Sequence, residues 1–447
     1  MNGIYIHLYQ LYALTLFFSI FVFLNKHKMQ VFKFGGSAIK DAGGIRKLAE
    51  IVRVKQECRI VVVSALGKTT NALEDLFGCY FEGNNGWLER LNQIKQFHLD
   101  IVSDLFGQKD LPLKRELERS FSKLSGRLRE EPGTDYDREY DQIVSEGEIW
   151  STQIVHAFLT AQGINTKWLD ARKILLTDTI FRDARVEWNK TIKLVRREIN
   201  PGRDELYVIQ GFIGGTENGL TTTLGREGSD YTASILGNIL DAESVTLWKD
   251  VPGILNADPE NFQNTEKLDE ISYLEAVELA FFGAKVIHPK TIKPLYNKNI
   301  PLFVKSFEHP DAIGTIIHRM DWNVDMIPVY VKKDHQILIT IRPRDFSFMI
   351  EQSFGQIFSA FNRCKIKINL VQTSAISLSI CADSNRLRIE QLLNSLKKDF
   401  RITFNKGVQL ITIRHYTDEA IRLMTTEKQI LIEQKSRQTV HFVLRDG

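Results

Sequence analysis

Gln30-Val31-Phe32-Lys33-Phe34-Gly35-Gly36-Ser37 is an apolar strand that runs directly into a paired-glycine turn, and the rest of the chain is read outward from it. Glycines at such a junction let the backbone approach a ligand closely. Their N–H groups, together with the start of a following helix, favour negative charge. Lys33 adds a fixed cation. Taken alone, the turn is no more than a tight connection between a strand and a helix. It gains weight from the remainder of the chain, where residues 59–64, 207–210, 244–248 and 301–304 read as short apolar strands separated by helical stretches. That alternation is the pattern of an α/β domain with a mostly parallel sheet. Between residues 84 and 160 the chain is rich in Glu, Lys, Arg, Leu and Gln at helical spacing, which predicts a helical insertion whose charges are solvated faces.

Past residue 317 the units shorten. Residues 336–342 read as strand, 351–363 as helix, 366–371 and 375–381 as strands, 386–398 as helix and 402–404 as strand. This is a βαββαβ, ferredoxin-like order. A second, truncated copy is predicted over 408–444.

Composition excludes several classes. With 447 residues, 43% hydrophobic and 25% charged, the chain can bury two or three domains' worth of core. A net charge of +3 without a long basic run is not the footprint of a nucleic-acid binder. Cys58, Cys79, Cys364 and Cys381 are scattered, with no CxxC pair, so neither a disulfide framework nor a structural zinc site is expected, and a cytoplasmic setting fits. Residues 1–28 pull the other way. Tyr5 to Leu24 is long and apolar enough for a membrane span with basic residues after it. The reading adopted is that Met29 is the true start, because a globular strand begins at Gln30 with no linker.

Further motifs carry chemistry. Ser64-Ala65-Leu66-Gly67-Lys68-Thr69-Thr70 looks like the end of a P-loop, but Val62 stands where its first glycine belongs, so a Walker A reading is rejected. Thr69 and Thr70 remain as hydroxyls at the end of a parallel strand. Gly211 to Thr216 and Thr221 to Thr232 concentrate glycines, hydroxyls, Arg226 and Asp230 before a helix. An arginine there suits a carboxylate held bidentately, and Asp230 alone would read as a helix cap. Trp248-Lys249-Asp250-Val251-Pro252-Gly253 ends a strand in a turn. Phe282 to Pro289, with Lys285 and His288, joins two helices; His288 is given no role.

In this order, the segments Lys33 to Ser37, Val62 to Asn71, Ser145-Glu146-Gly147-Glu148, Asp170-Ala171-Arg172, Gln210 to Thr232, Trp248 to Pro259 and Ile271 to Pro289 closely resemble the aspartate kinase branch of the amino-acid kinase family. The resemblance implies a three-layer αβα sandwich with a mostly parallel sheet over residues 29–317, and an ACT-type regulatory region over 318–447. It implies transfer of the γ-phosphoryl group of ATP to the β-carboxylate of L-aspartate, the first step toward lysine, threonine and methionine. Magnesium would be carried by the ATP phosphates, with no metal ligands from the protein.

Residue by residue, the resemblance implies that Lys33 and Lys285 contact the transferring phosphate and that Asp230 positions them. Gly35, Gly36 and Ser37 would line the phosphate site, and Lys249 and Asp250 would border the nucleotide. Aspartate would be held by Thr70, Glu146, Arg226 and Ser229, with Glu146 on the α-ammonium. An amino-acid effector at the ACT region and a homodimer are further implications, with no nucleic acid and no membrane partner unless residues 1–28 are real. The sequence departs from the family at Glu227 in place of glycine, Lys249 in place of threonine, Leu255 and Glu260 in place of tyrosine and arginine, and Ala375 in place of glutamate. An inactive amino-acid sensor, or a kinase for another amino-acid carboxylate, is the alternative.

Overall fold

The computed structural model describes residues 29–107, 111–200, 202–283, 287–320, 326–345 and 347–446, so the apolar segment 1–28 and Lys285 lie outside the described residues. Among the described residues, no helix is long and apolar enough to cross a membrane.

The chain forms two compact units. The first holds the described residues from Met29 to Gly253 together with Asp269–Tyr273 and Lys290–Arg319. Its strands are β1 (Gln30–Phe34), β2 (Cys58–Val63), β3 (Thr166–Leu169), β4 (Leu206–Gln210), the small hairpin β5 (Ile213–Gly215) and β6 (Thr221–Thr223), and β7 (Ser244–Lys249). The second unit contributes a short pair, β8 (Ile254–Leu255) and β9 (Lys267–Leu268). The first unit resumes with β10 (Glu270–Ser272), β11 (Leu302–Ser306) and β12 (Thr315–His318). The main sheet runs β10-β12-β11-β7-β1-β2-β4-β3, parallel throughout except between β11 and β12.

Both faces of this sheet are covered, which is why its central strands are almost continuously apolar. Phe32, Phe34, Val61 and Val63 pack on one side with Ile45 and Leu48 of helix Ala42–Val54 and with Ile154 and Phe158 of helix Glu146–Ala161. Lys33, between Phe32 and Phe34, points to the opposite face, where helix Gly228–Ile239 packs on β1, β2 and β7. The insertion is helical, as its composition predicts: Trp87–Phe106, Pro112–Arg127, Tyr136–Val144 and Glu146–Ala161.

The second unit, made of Ile254–Leu268, Leu274–Pro289 and the chain from Met320 onward, is built on an antiparallel sheet. Its strands are β13 (Val329–Pro343), β14 (Ile368–Ser374), β15 (Ser377–Asp383), β16 (Phe400–Arg414), β17 (Lys428–Lys435) and β18 (Thr439–Asp446), in the order β14-β15-β13-β16-β18-β17. β13 is about twice its expected length, and β16 runs through both the strand expected at 402–404 and the start of the second copy at 408. Their outer halves, Gln336 to Pro343 on Phe400 to Val408, form the first βαββαβ copy, with Ile337, Ile339 and Ile341 packed under helices Glu351–Arg363 and Arg386–Leu396. Their other halves, Val329 to Lys333 on Leu410 to Arg414, join β17 and β18. The segment read as a truncated second copy therefore gains its fourth strand from chain that precedes the first copy. The boundary read at 317 also leaves out 254–268 and the described residues of 274–289, which group with the C-terminal unit.

Candidate active site

β1 has β2 on one flank and β7 on the other, so the chain leaves β1 in one direction and returns to its other side only after β4. Such a reversal opens a crevice beyond the carboxyl ends of the strands, where α/β sheets bind ligands. Lys33 lies near the end of β1, Lys249 ends β7, and Asp230 sits in the first turn of helix Gly228–Ile239. The Asp230 carboxylate joins the other two: Oδ1 is 2.7 Å from Lys33 Nζ and Oδ2 is 3.1 Å from Lys249 Nζ.

Asp230 is 1% exposed. Burial alone would push its pKa up, but the ammonium groups of Lys249 and Lys33 overcome that and hold it at about 2. Burial likewise opposes the charge on Lys249, and the carboxylates of Asp230 and Glu227 outweigh it and raise its pKa. Two lysine side chains thus share the Asp230 carboxylate.

The loops around this cluster are fitted by glycine. A Cβ on Gly36 would come within 2.5 Å of the Ala65 carbonyl oxygen, and one on Gly211 within 2.4 Å of Ser229 Cβ. The first contact holds the turn after β1 against the loop after β2. The second seats the helix carrying Asp230 against the end of β4.

A cavity of about 490 Å³ opens on the cluster. Of the residues singled out in the sequence, Lys33, Gly36, Ser37, Thr70, Arg226, Ser229, Asp230 and Lys249 line it. Gly35 is not among the lining residues, but a Cβ there would lie 3.5 Å from Lys33 Nζ, so its backbone borders the ammonium. Asp250 is exposed in the turn after β7 and does not line the cavity. Leu255 and Glu260 belong to the C-terminal unit.

Glu146 is not brought to the cavity. It is half-buried beside Ser120, whose hydroxyl donates to Oε2 at 3.3 Å; burial raises its pKa and Arg172 opposes the shift. Two positions along a helix are about 200° apart, so Glu146 and Glu148 look in nearly opposite directions. Glu148 is the one that lines the cavity, 3% exposed. Its Oε2 has no hydrogen-bond partner among the described residues. Burial pushes its pKa up to about 8, against a backbone N–H at Ala65 and the charge of Lys33. The intervening Gly147 leaves no room for a side chain, since a Cβ there would lie 3.0 Å from Thr69 Cγ2 and 3.1 Å from Leu73 Cδ1.

Three other lining residues escaped the sequence reading: Glu74, Tyr140 and Arg182. The Tyr140 hydroxyl donates to Glu74 at 2.5 Å. No local signal marks them, because they reach the cavity from two separate helices and a loop. Glu227, also lining, holds a left-handed φ of 54°, which explains physically why glycine suits that position. Its Oε2 is buried without a hydrogen-bond partner among the described residues, and burial raises its pKa against the pull of Lys249.

The chemistry available is specific. Clustered ammonium groups and a glycine turn at a switch point suit a multiply charged anion. Beside them, a buried unpartnered carboxylate suits a ligand ammonium group, and Arg226 at the rim suits a ligand carboxylate.

The model of the amino acid kinase family matches residues 28–306. Lysine-sensitive aspartokinase 3 of Escherichia coli is 31% identical over 392 residues, which cover 86% of each chain. The crystal structure of E. coli aspartokinase III in complex with aspartate and ADP is similar with a TM-score of 0.79 at 28% identity, over 93% of this chain and 96% of that one. The same enzyme in complex with lysine and aspartate gives 0.78 at 28% identity over the same shares.

Proposed function

The chain belongs to the aspartokinase branch of the amino acid kinase family, and from that premise we propose that it transfers the γ-phosphoryl group of ATP to the β-carboxylate of L-aspartate, giving 4-phospho-L-aspartate. The observation that carries this reading is the bridge from Lys33 through Asp230 to Lys249 at the switch point, open to a cavity that also contains the unpartnered Glu148.

A side-chain carboxylate with a reference pKa of about 3.9 is already ionised at neutral pH, so the nucleophile needs no general base. What it needs is relief of the repulsion between two anions and stabilisation of charge as the phosphoryl group moves. Lys33 and Lys249 supply fixed positive charge, and Asp230 keeps both ammonium groups in place. The N–H groups of Gly35 and Gly36 and the Ser37 hydroxyl donate to phosphate oxygens. Lys285 is assigned to the same phosphate by resemblance alone. A divalent metal accompanies ATP in such kinases; we take it to be magnesium, which would neutralise the phosphate charge it rides on. Asp230, engaged by two lysines, is poorly disposed to bind that metal directly.

On the substrate side, Glu148 receives the α-ammonium group, the role that resemblance implies for Glu146, because Glu148 is the one of these two that lines the cavity. Thr70 and Ser229 add hydroxyls, and Arg226 takes a carboxylate. The regulatory reading follows from the E. coli structure in complex with lysine. An amino-acid effector binds the C-terminal unit and the chain works as a homodimer in the cytoplasm, where Cys58, Cys79, Cys364 and Cys381 stay free thiols. Light scattering that finds only monomers at working concentration would remove the dimer.

The activity is tested by ADP release from Mg-ATP with L-aspartate, using L-glutamate as control. Release that depends on aspartate supports the reading, and a well-folded protein with none contradicts it.

A further inference from the structure

Arg182 reaches the cavity from a loop that no motif marks, and its backbone is held in an unfavourable shape. Its φ is 65°, in the left-handed region that residues with a Cβ avoid. Asp141, fully buried, enforces it: Oδ2 accepts the N–H of Arg182 at 3.0 Å and the N–H of Thr223 at 2.8 Å, while Oδ1 accepts the Thr223 hydroxyl at 2.7 Å. The loop is thereby fastened to β6. Gly225 closes against it, since a Cβ there would lie 3.1 Å from the Arg182 carbonyl oxygen. Arg226, the next residue, therefore shares the cavity with Arg182. Strain kept in place by a buried network, at the mouth of a ligand cavity, points to a use for the side chain.

The guanidinium is positioned rather than free. It lies 4.3 Å from the centroid of the Tyr140 ring, and Nη1 is 3.2 Å from Asp137 Oδ1. The side chains of Arg182 and Asp137 are 44% and 56% exposed, so this ion pair is screened and weak, and a better-placed carboxylate can replace Asp137. The Tyr140 ring supports the guanidinium from below, and the one side-chain hydrogen bond shown for it is at Nη1.

Aspartate carries two carboxylates one methylene apart, and only the β-carboxylate must reach the phosphoryl group. Arg226 is exposed at the rim and by itself fixes little. We propose that Arg182 is a substrate-binding residue that receives the α-carboxylate of aspartate together with Arg226, and so decides which carboxylate is presented for transfer. The assignment rests on the aspartate kinase reading and deepens it.

Steady-state kinetics of the full chain and two variants test it. Glycine suits a φ of 65°, so Arg182→Gly is expected to keep the parent's thermal midpoint and removes loss of fold as an explanation. In Arg182→Gly the KM for aspartate rises about tenfold or more, as for loss of a charged hydrogen bond, while the KM for ATP holds. The parent's preference for aspartate over its α-carboxamide collapses in the same variant. Asp137→Asn, which removes the competing carboxylate, lowers the KM for aspartate by about twofold. An Arg182→Gly protein that keeps both the parent's KM and its preference for a free α-carboxylate overturns the assignment, as does a raised KM in Asp137→Asn. A parent chain without aspartate-dependent turnover overturns the kinase reading itself; an active parent with an unaltered Arg182→Gly variant overturns only this one.

Discussion

Each unit buries charge, and the two do so in opposite ways. In the C-terminal unit, Arg414 is matched on every side: its Nε and Nη2 donate to the two oxygens of Glu275 at 2.6 and 2.7 Å, and Nη1 donates to Thr439 at 2.9 Å and to Glu278 at 3.3 Å. In the first unit, Glu148 and Glu227 each leave a buried oxygen without a partner among the described residues, beside the Lys33, Asp230 and Lys249 cluster. A satisfied network holds a structure together. An unsatisfied one carries a cost, and on the wall of a cavity it suits a ligand that completes it. The comparison thus separates the part of the molecule that turns over substrate from a part whose charges serve the fold.

The sharpest way to break that contrast is to remove charge from each side. Lys33→Ala is expected to lower kcat about 10³-fold, the scale of losing a preorganised group that stabilises transition-state charge, while the thermal midpoint stays near the parent's. Arg414→Ala is expected to do the reverse. It costs the C-terminal unit about 3–5 kcal/mol, read by denaturant unfolding, because Glu275 stays buried without its two guanidinium hydrogen bonds. The acid limb of stability should move with it. Burial would raise the Glu275 pKa, but His415 and Arg414 hold it near 2 in the fold, below the reference value of 4.5. The unfolded chain therefore binds more protons between those values, so this contribution is complete above 4.5 and lost as pH falls toward 2.

A smaller effect sharpens the substrate side. Glu148 holds its proton up to about pH 8 and must release it to pair with an ammonium group. Affinity for aspartate should rise as pH goes from about 6 to 8 and level off above, with proton release on binding measurable by calorimetry in buffers of different ionisation enthalpy. Glu148→Gln is expected to flatten that profile and to raise the KM for aspartate on the order of 10–100-fold. The smallest effect concerns strain: Glu227→Gly should stabilise the first unit by about 1 kcal/mol by relieving a left-handed backbone, visible as a raised thermal midpoint.

Much of the first unit is legible in local sequence. β1, β2, β4 and β7 are apolar runs, closed by glycine or charge except at β2, where Ser64 follows, and the insertion has plain helical spacing. The C-terminal unit is less legible. Asn405-Lys406-Gly407 reads as a break, and Gly407 does take a φ of 68°, yet β16 continues through it because β13 pairs with both halves. Nothing local announces that pairing. The site shows the same division. Lys33, Asp230, Arg226 and Ser229 lie in dense motifs and meet at one cavity. The motif Ser145-Glu146-Gly147-Glu148 offers two glutamates, and family resemblance points to Glu146, whereas helix geometry lets only one of the pair face the sheet ends and that one is Glu148. Arg182 and Tyr140 depend on a fold that brings distant segments together.

The central claim is tested most directly by trapping the product. A chain that phosphorylates the β-carboxylate of aspartate makes an acyl phosphate, which hydroxylamine captures as a hydroxamate. With Mg-ATP, L-aspartate and hydroxylamine, mass spectrometry should find aspartate β-hydroxamate formed in step with ADP and absent when Lys33→Ala replaces the parent. ADP released without any hydroxamate, or a hydroxamate formed from glutamate instead, would contradict the account.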